Sequence, residues 1–170
     1  METDIKRIKK IGKSKEEENW KFRTFLKGYD IEALDSIVHE IYHEVESKID
    51  CTKCGNCCRT IGPILKQKDI KKLSNAIGLS DNKFISKYVG KDEDSDLIFN
   101  TLPCPFLKKN LCTQYNSRPK DCESFPHFHK KEFVFRLIQV VNNYSICPIV
   151  FNVYEQLKNE FADDYEAFFL

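Results

Sequence analysis

The clearest pattern along the chain is a stripe of apolar residues that recur at spacings of three and four. It consists of Ile31, Leu34, Val38, Ile41, Val45 and Ile49. Side chains at these spacings lie on one face of an α-helix. Asp30, directly before the stripe, is a residue type that caps helix N-termini. The pattern therefore predicts an amphipathic helix that starts at Ile31 and leads the chain into Cys51.

Other segments also have helical spacing or residues typical of helix boundaries. They are residues 15–26, 67–78, 81–89 and 148 onward. Asp69 and Ser80 are placed to cap the second and third of these helices, and a glycine ends each of the first three. Pro148 is tolerated because proline fits the first turn of a helix.

The remaining segments lack helical spacing. Residues 97–102 and 132–141 are rich in strand-forming residues and are interpreted as strands. The octapeptide CTKCGNCC and residues 107–129 contain the Gly, Asn and Pro residues of tight turns and irregular loops. The predicted fold is mainly α, with irregular loops and a few short strands, in a single domain over residues 1–170.

The start of the chain, METDIKRIKKIGKSKEEE, mixes basic and acidic residues. We interpret it as a frayed, solvated terminus rather than a nucleic-acid-binding arm, and the net charge of +1 also argues against nucleic-acid binding. It has no apolar stretch typical of a secretory signal. No later segment approaches the roughly 20 apolar residues of a membrane-spanning helix. We therefore expect a protein of the reducing cytoplasm, with no membrane partner.

Eight cysteines are the main candidates for chemistry. They are Cys51, Cys54, Cys57, Cys58, Cys104, Cys112, Cys122 and Cys147. Disulfides rarely persist in a reducing compartment, so we interpret all eight as metal ligands. Cys57 and Cys58 are adjacent, and neighbouring side chains usually diverge. We therefore expect either two sets of four ligands, or one set of four together with spare thiols.

The spacing of the cysteines bears on the identity of the metal. Bacterial ferredoxins use C-x2-C-x2-C, the spacing of residues 51–57, and a later cysteine followed by proline. Cys104 and Cys147 are each followed by proline. A zinc ribbon needs two separated C-x2-C pairs, whereas the two pairs here overlap. These features favour an iron–sulfur cluster or iron, and zinc in an irregular four-thiolate site stays the alternative.

The order of these elements resembles the YkgJ-type cysteine-cluster family. The shared elements are C-x-x-C-x-x-C-C at residues 51–58, Cys104-Pro105-Phe106-Leu107, Cys112 with Tyr115, Arg118-Pro119, Cys122 and Phe125-Pro126. The resemblance implies a zinc- or iron-chelating domain over roughly residues 51–147, sometimes labelled an iron–sulfur oxidoreductase. Arg118, between two motif cysteines, is predicted to bind the cofactor by donating to thiolates or sulfides. A surface or carboxylate-paired arginine is the alternative.

The histidines suggest a competing enzyme motif. Residues His39-Glu40-Ile41-Tyr42-His43 spell H-E-x-x-H on the predicted helix, the pattern in which two histidines bind zinc and glutamate acts as base. Such a site needs a third ligand, and no downstream motif offers one. A metalloprotease is therefore a minor alternative. His127 and His129 are expected to be exposed or hydrogen-bonded, because eight thiols are available as ligands.

The sequence predicts a domain organised around a cysteine-bound metal centre. Residues 1–50 form N-terminal helices, residues 51–147 the metal-binding core and residues 148–170 a C-terminal helix. The leading hypothesis is an iron–sulfur or iron protein with a redox role and an unidentified redox or protein partner. A structural zinc module that presents an interaction surface is the rival hypothesis, and whether the protein is an enzyme stays open.

Overall fold

Short helices dominate the structure, a computed structural model that describes residues 1–168. Helices make up 62% of it, so the predicted mainly α fold with a few short strands is confirmed. No single helix in this part of the chain is long and apolar enough to cross a lipid bilayer. The elements are α1 (Ile5–Ser14), α2 (Glu16–Lys27), α3 (Ile31–Lys48), α4 (Cys51–Cys54), α5 (Cys57–Thr60), α6 (Gln67–Ala76), α7 (Asp81–Tyr88), β1 (Val89–Lys91), β2 (Leu97–Phe99), β3 (Leu107–Lys108), β4 (Leu111–Cys112), a 3₁₀ turn (Tyr115–Ser117), α8 (Lys120–Ser124), a second 3₁₀ turn (Phe133–Arg136), α9 (Leu137–Asn143), α10 (Pro148–Glu160) and α11 (Ala162–Phe168).

The chain forms two compact units. The helical unit consists of Met1–Asp50 and the chain from Pro126 onward, and the cysteine unit is Cys51–Phe125. The predicted boundary after residue 50 coincides with the first junction. Cys147, assigned by sequence to the metal-binding core, belongs to the helical unit. The single domain over residues 1–170 stays a prediction.

The charged start of the chain is helical, so the prediction of a frayed terminus is wrong. The Asp4 carboxylate caps α1 by accepting hydrogen bonds from the backbone N–H groups of Lys6 (2.7 Å) and Arg7 (3.3 Å). Ile8 is fully buried and Gly12 is buried beside it on the same face. The charges of this segment lie on the outward face of a helix whose apolar side is narrow.

The long helices of the helical unit begin and end close to the predicted residues. α2 ends before Gly28, and the Asp30 carboxylate caps α3 by accepting from the Ala33 N–H (2.8 Å). The buried members of the apolar stripe are Leu34, Val38, Val45 and Ile49. Pro148 is the first residue of α10, as predicted, and a break at Phe161 separates α10 from α11.

The strand predicted over residues 132–141 is wrong, because this segment forms a 3₁₀ turn and α9. The Asp35 carboxylate accepts hydrogen bonds from the backbone N–H groups of Glu132 (2.5 Å) and Phe133 (2.8 Å), which fixes the start of the turn. The buried apolar residues of the segment are Phe133, Leu137, Val140 and Val141. Their spacing is helical, and burial rather than strand pairing explains the abundance of aromatic and β-branched residues.

The cysteine unit has a small apolar core beneath its cysteines. The core residues are Leu65, Ile70, Leu73, Phe84, Phe99 and Phe106. The Asp69 carboxylate accepts a hydrogen bond from the Lys66 N–H (2.9 Å) at the start of α6, and Ser80 caps α7, as predicted. The predicted strand over residues 97–102 is formed only by β2, which pairs antiparallel with β1.

Candidate metal centre

The octapeptide CTKCGNCC makes its tight turn at Gly55, between the single helical turns α4 and α5. Gly55 has φ 59°, a left-handed conformation that favours glycine. A Cβ atom here would stand 3.2 Å from the Asn110 carbonyl oxygen and 2.9 Å from a guanidinium nitrogen of Arg59. The close approach of these groups therefore requires glycine at the turn.

The Arg59 side chain links this turn by hydrogen bonds to the hairpin formed by β3 and β4. Its guanidinium donates hydrogen bonds to the carbonyls of Cys54 (3.1 Å) and Lys109 (2.7 Å) and to the side-chain oxygen of Asn110 (2.5 Å). Asn110 donates from Nδ2 to the Lys53 carbonyl (2.9 Å). Sequence analysis missed Arg59, although a cation directly after a cysteine run is a recognisable signal for thiolate stabilisation.

Hydrogen bonds of backbone and side-chain groups anchor the segments that carry three later cysteines. The Cys104 N–H donates to the carbonyl of Cys58 (2.8 Å). Cys112 ends β4, in the hairpin that Arg59 fastens. Cys122 lies in α8, whose first backbone N–H donates to the buried Asp69 carboxylate (2.9 Å).

Among Cys58, Cys104, Cys112 and Cys122, the thiol of Cys58 ionises most easily. Its Sγ lies 4.0 Å from the Sγ of Cys57. Hydrogen bonding with Cys57, together with the nearby Arg59 cation, lowers the pKa of Cys58 to about 6. At neutral pH this side chain is therefore a thiolate, the form that binds metal ions.

The negative charge of Cys58 raises the pKa values of Cys104, Cys112 and Cys122. Burial, with a smaller contribution from this charge, raises the pKa of Cys104 to about 11. The same two causes raise the pKa values of Cys112 and Cys122. Because such effects weaken with distance, these residues are neighbours in space. We call Cys58, Cys104, Cys112 and Cys122 the four-thiol set.

The four-thiol set suits a thiophilic metal by its chemistry. One thiolate and three thiols are soft ligands of the kind that favour zinc and iron–sulfur clusters. The four cysteines of the set are free thiols. Among residues 1–168, no three His, Cys, Asp or Glu side chains are grouped so that they could hold a metal ion.

A protein-family model matches residues 50–147, a range that contains all eight cysteines. The model is that of the CxxCxxCC family, described as "Putative zinc- or iron-chelating domain". The chain belongs to this family. No curated protein and no solved structure matches it. Membership in the CxxCxxCC family confirms the predicted zinc- or iron-chelating domain and supports metal binding as the general function, whereas the YkgJ-type label stays a prediction.

Zinc binding to the CxxCxxCC domain is expected to release about three protons at pH 7.5, because Cys58 is already ionised and the other three thiols are not. Protons compete with the metal, so affinity falls as pH falls. Because three protons are released, zinc affinity falls about a thousandfold for each unit by which the pH is lowered between about pH 9 and 6. Below the pKa of Cys58 a fourth proton competes, and the decrease in affinity is steeper. Titration of the metal-free protein with zinc, in weak buffer with a pH indicator, measures the number of protons released. Release of fewer than about one proton per zinc would contradict binding at the four-thiol set.

The other predicted ligands have different surroundings. Cys51 is exposed and lies with Cys54 in α4, whereas Cys57 is partly buried beside Cys58. Cys147 is buried in the helical unit, directly before α10. The ligand role of these cysteines stays a prediction.

Arg118 makes local contacts within the cysteine unit. Its guanidinium carbon lies 3.8 Å from the centre of the Tyr115 ring, and Nη1 donates to the Tyr115 carbonyl (2.7 Å). Its positive charge also lowers the pKa of Cys112, against the stronger effect of burial. The side chain therefore acts electrostatically on one member of the four-thiol set, and its cofactor-binding role stays a prediction.

Replacing Arg59 with methionine is expected to lower the free energy of unfolding of the cysteine unit by about 2–3 kcal/mol, because three charge-assisted hydrogen bonds are lost. Metal affinity should fall about 10–100-fold, as for other groups that support metal ligands. Urea denaturation and competition with a zinc chelator measure the two effects. Lys83→Met, at an exposed position on α7, is the matched control and should change neither quantity.

The H-E-x-x-H motif acquires no supporting partners in the structure. The Nε2 atom of His39 lies 3.4 Å from the Lys130 carbonyl oxygen, and His43 is exposed. No third ligand joins them among residues 1–168. The metalloprotease alternative therefore receives no structural support. The expectation that His127 and His129 are not ligands stays a prediction.

Proposed function

We propose that the CxxCxxCC domain binds iron at the four-thiol set, as an iron–sulfur cluster or a single iron ion, and transfers electrons in a reducing cytoplasm. The observation that carries the proposal is that the Cys104 N–H donates to the Cys58 carbonyl (2.8 Å), with Cys112 and Cys122 near enough for the Cys58 charge to raise their pKa values. Partial burial of Cys104 and Cys122 limits access of water to the centre, which helps to set a reduction potential. The cations of Arg59 and Arg118 offset part of the charge of four thiolates.

A structural zinc module is the second candidate. One observation favours it: the four cysteines come from α5, the segment before β3, β4 and α8, so a single ion would join four short segments. Structural zinc sites are closed, four-coordinate and often bound by four cysteines. In this case the metal fixes the fold and the domain presents a surface to a partner.

Anaerobic purification followed by metal analysis and an absorption spectrum separates the two candidates. Iron with acid-labile sulfide and broad visible absorption supports a cluster, and iron without sulfide supports a single ion. A colourless protein with stoichiometric zinc, which iron does not displace during anaerobic reconstitution, would contradict the redox proposal. Reversible bleaching by dithionite is the further result that a redox role requires.

A further inference from the structure

The charge of the chain is divided unevenly between its two units. The cysteine unit has thirteen lysines and arginines against eight aspartates and glutamates, a formal charge of +5, although the whole chain carries only +1. Within this unit, residues 67–103 contain six of each sign. The entire excess of positive charge therefore lies on residues 51–66 and 104–125, the segments that carry the cysteines.

The hairpin beside Cys112 presents part of this charge to solvent. Lys108 and Lys109 are exposed, and neither forms an ion pair with a residue of the described chain. Lys120, at the start of α8, is 79% exposed beside Glu123. Unpaired positive charge therefore lies on the hairpin that ends at Cys112, whereas the charge of Lys120 is paired with Glu123 at 3.1 Å.

Exposed apolar side chains lie close in sequence to the same cysteines. Leu111 (60% exposed) directly precedes Cys112, and Leu102 (50%) is two residues before Cys104. Tyr115 (45%) follows in the 3₁₀ turn. On the hairpin, exposed Leu111 is the cross-strand partner of exposed Lys108. Apolar and charged residues combine in this way at protein–protein interfaces, which have an apolar centre and a polar edge.

We propose that this surface, formed by Leu102, Lys108, Lys109, Leu111 and Tyr115, docks an acidic protein that carries one electron at a time. The inference rests on the proposed function, because the surface adjoins the four-thiol set. In the exchange a single electron leaves the carrier, which is oxidised, and reduces the iron centre, and no bond is made or broken. A nucleic acid would match the charge but would not explain the exposed leucines.

Charge complementarity would act mainly on the rate of encounter. Lysines at the edge of an interface steer an acidic partner, and their effect weakens when salt screens it. Leu111 and Leu102 would then supply apolar contact area at the centre. The surface therefore predicts an association that is fast, salt-dependent and selective for acidic carriers.

Binding of the metal-loaded full chain to a plant-type ferredoxin, an acidic carrier, tests the proposal, with basic cytochrome c as the comparison. We expect the ferredoxin to bind at least about tenfold more tightly at low salt, and salt at about 200 mM to remove most of this preference. Lys108→Glu combined with Lys109→Glu should weaken ferredoxin binding at least about tenfold. The matched pair Lys83→Glu and Lys87→Glu, on α7, should leave it unchanged.

Equal binding of the two carriers, or ferredoxin binding that the hairpin variant does not weaken, would overturn the docking proposal. Tighter binding of a single-stranded RNA than of the ferredoxin would overturn it as well. Metal content and the spectrum are measured on the same samples. A sample that contains redox-active iron but does not bind ferredoxin refutes docking alone, whereas a sample without redox-active iron refutes the proposed function.

Discussion

Replacing Cys58 with serine is expected to strip the cysteine unit of its metal. Cys58 is the member of the four-thiol set whose pKa lies below neutral pH, so its thiolate offers the first negative charge to an incoming cation. A serine hydroxyl stays protonated at this pH and is a poor ligand for soft metals. We expect a loss of affinity greater than about 100-fold, the upper end for supporting residues that do not touch the metal.

The control for Cys58→Ser is Cys147→Ser, the same change at a buried cysteine of the helical unit. Metal content per chain after anaerobic purification is the measurement for both variants. The four-thiol set is complete without Cys147, so this variant should keep the metal of that set. Wild-type metal content in Cys58→Ser would contradict the assignment.

Removal of the metal is expected to unfold much of the cysteine unit and to leave the helical unit intact. The cysteine unit has a core of only a few apolar side chains, and small domains of this kind depend on additional cross-links. Apparent binding energies of about 10–16 kcal/mol are available from structural zinc sites. After chelation, amide protection at Ile70 and Phe84 should fall by at least about a thousandfold, which corresponds to roughly 4 kcal/mol.

Hydrogen exchange of the chelated protein provides its own control, because both units are observed together. Leu34 and Val38, buried in α3, should keep the protection that they have in the metal-loaded protein. Full protection of Ile70 and Phe84 after complete metal removal would contradict a metal that holds the cysteine unit together.

The parts of the fold that follow local rules were predictable from the sequence. α3 was found from its apolar stripe, and its start at Asp30 follows from the chemistry of helix caps. The starts of α7 and α10 were predicted for similar reasons, from Ser80 and Pro148. In each case the decisive information lies within a few residues of the helix end.

The errors arose where burial and long-range contacts decide the conformation. Residues 132–141 have the composition of a strand, but the distant Asp35 binds the backbone at their start and the segment becomes helical. In α1 the apolar face is narrow, so its charges dominated the pattern. The local sequence identifies neither the hydrogen bonds from Asp35 to residues 132–133 nor the residues that bury Ile8.

The candidate site was predicted in kind but not in arrangement. The cysteines and a metal follow from composition and spacing, as family membership supports. That Cys58 associates with Cys104, Cys112 and Cys122 depends on how the hairpin and α8 are anchored. Those anchors include Arg59 and Asp69, whose contacts lie about fifty residues away in the chain.

X-ray absorption at the metal edge tests most directly whether the four-thiol set holds one metal. For the wild-type protein and for Cys147→Ser we expect about four sulfur neighbours at about 2.3 Å, the usual distance to thiolate sulfur. Cys122→Ser should lose the metal or, for a single ion, show one sulfur fewer. A wild-type spectrum dominated by nitrogen or oxygen ligands, or a Cys122→Ser variant with wild-type metal content and an unchanged spectrum, would contradict the assignment.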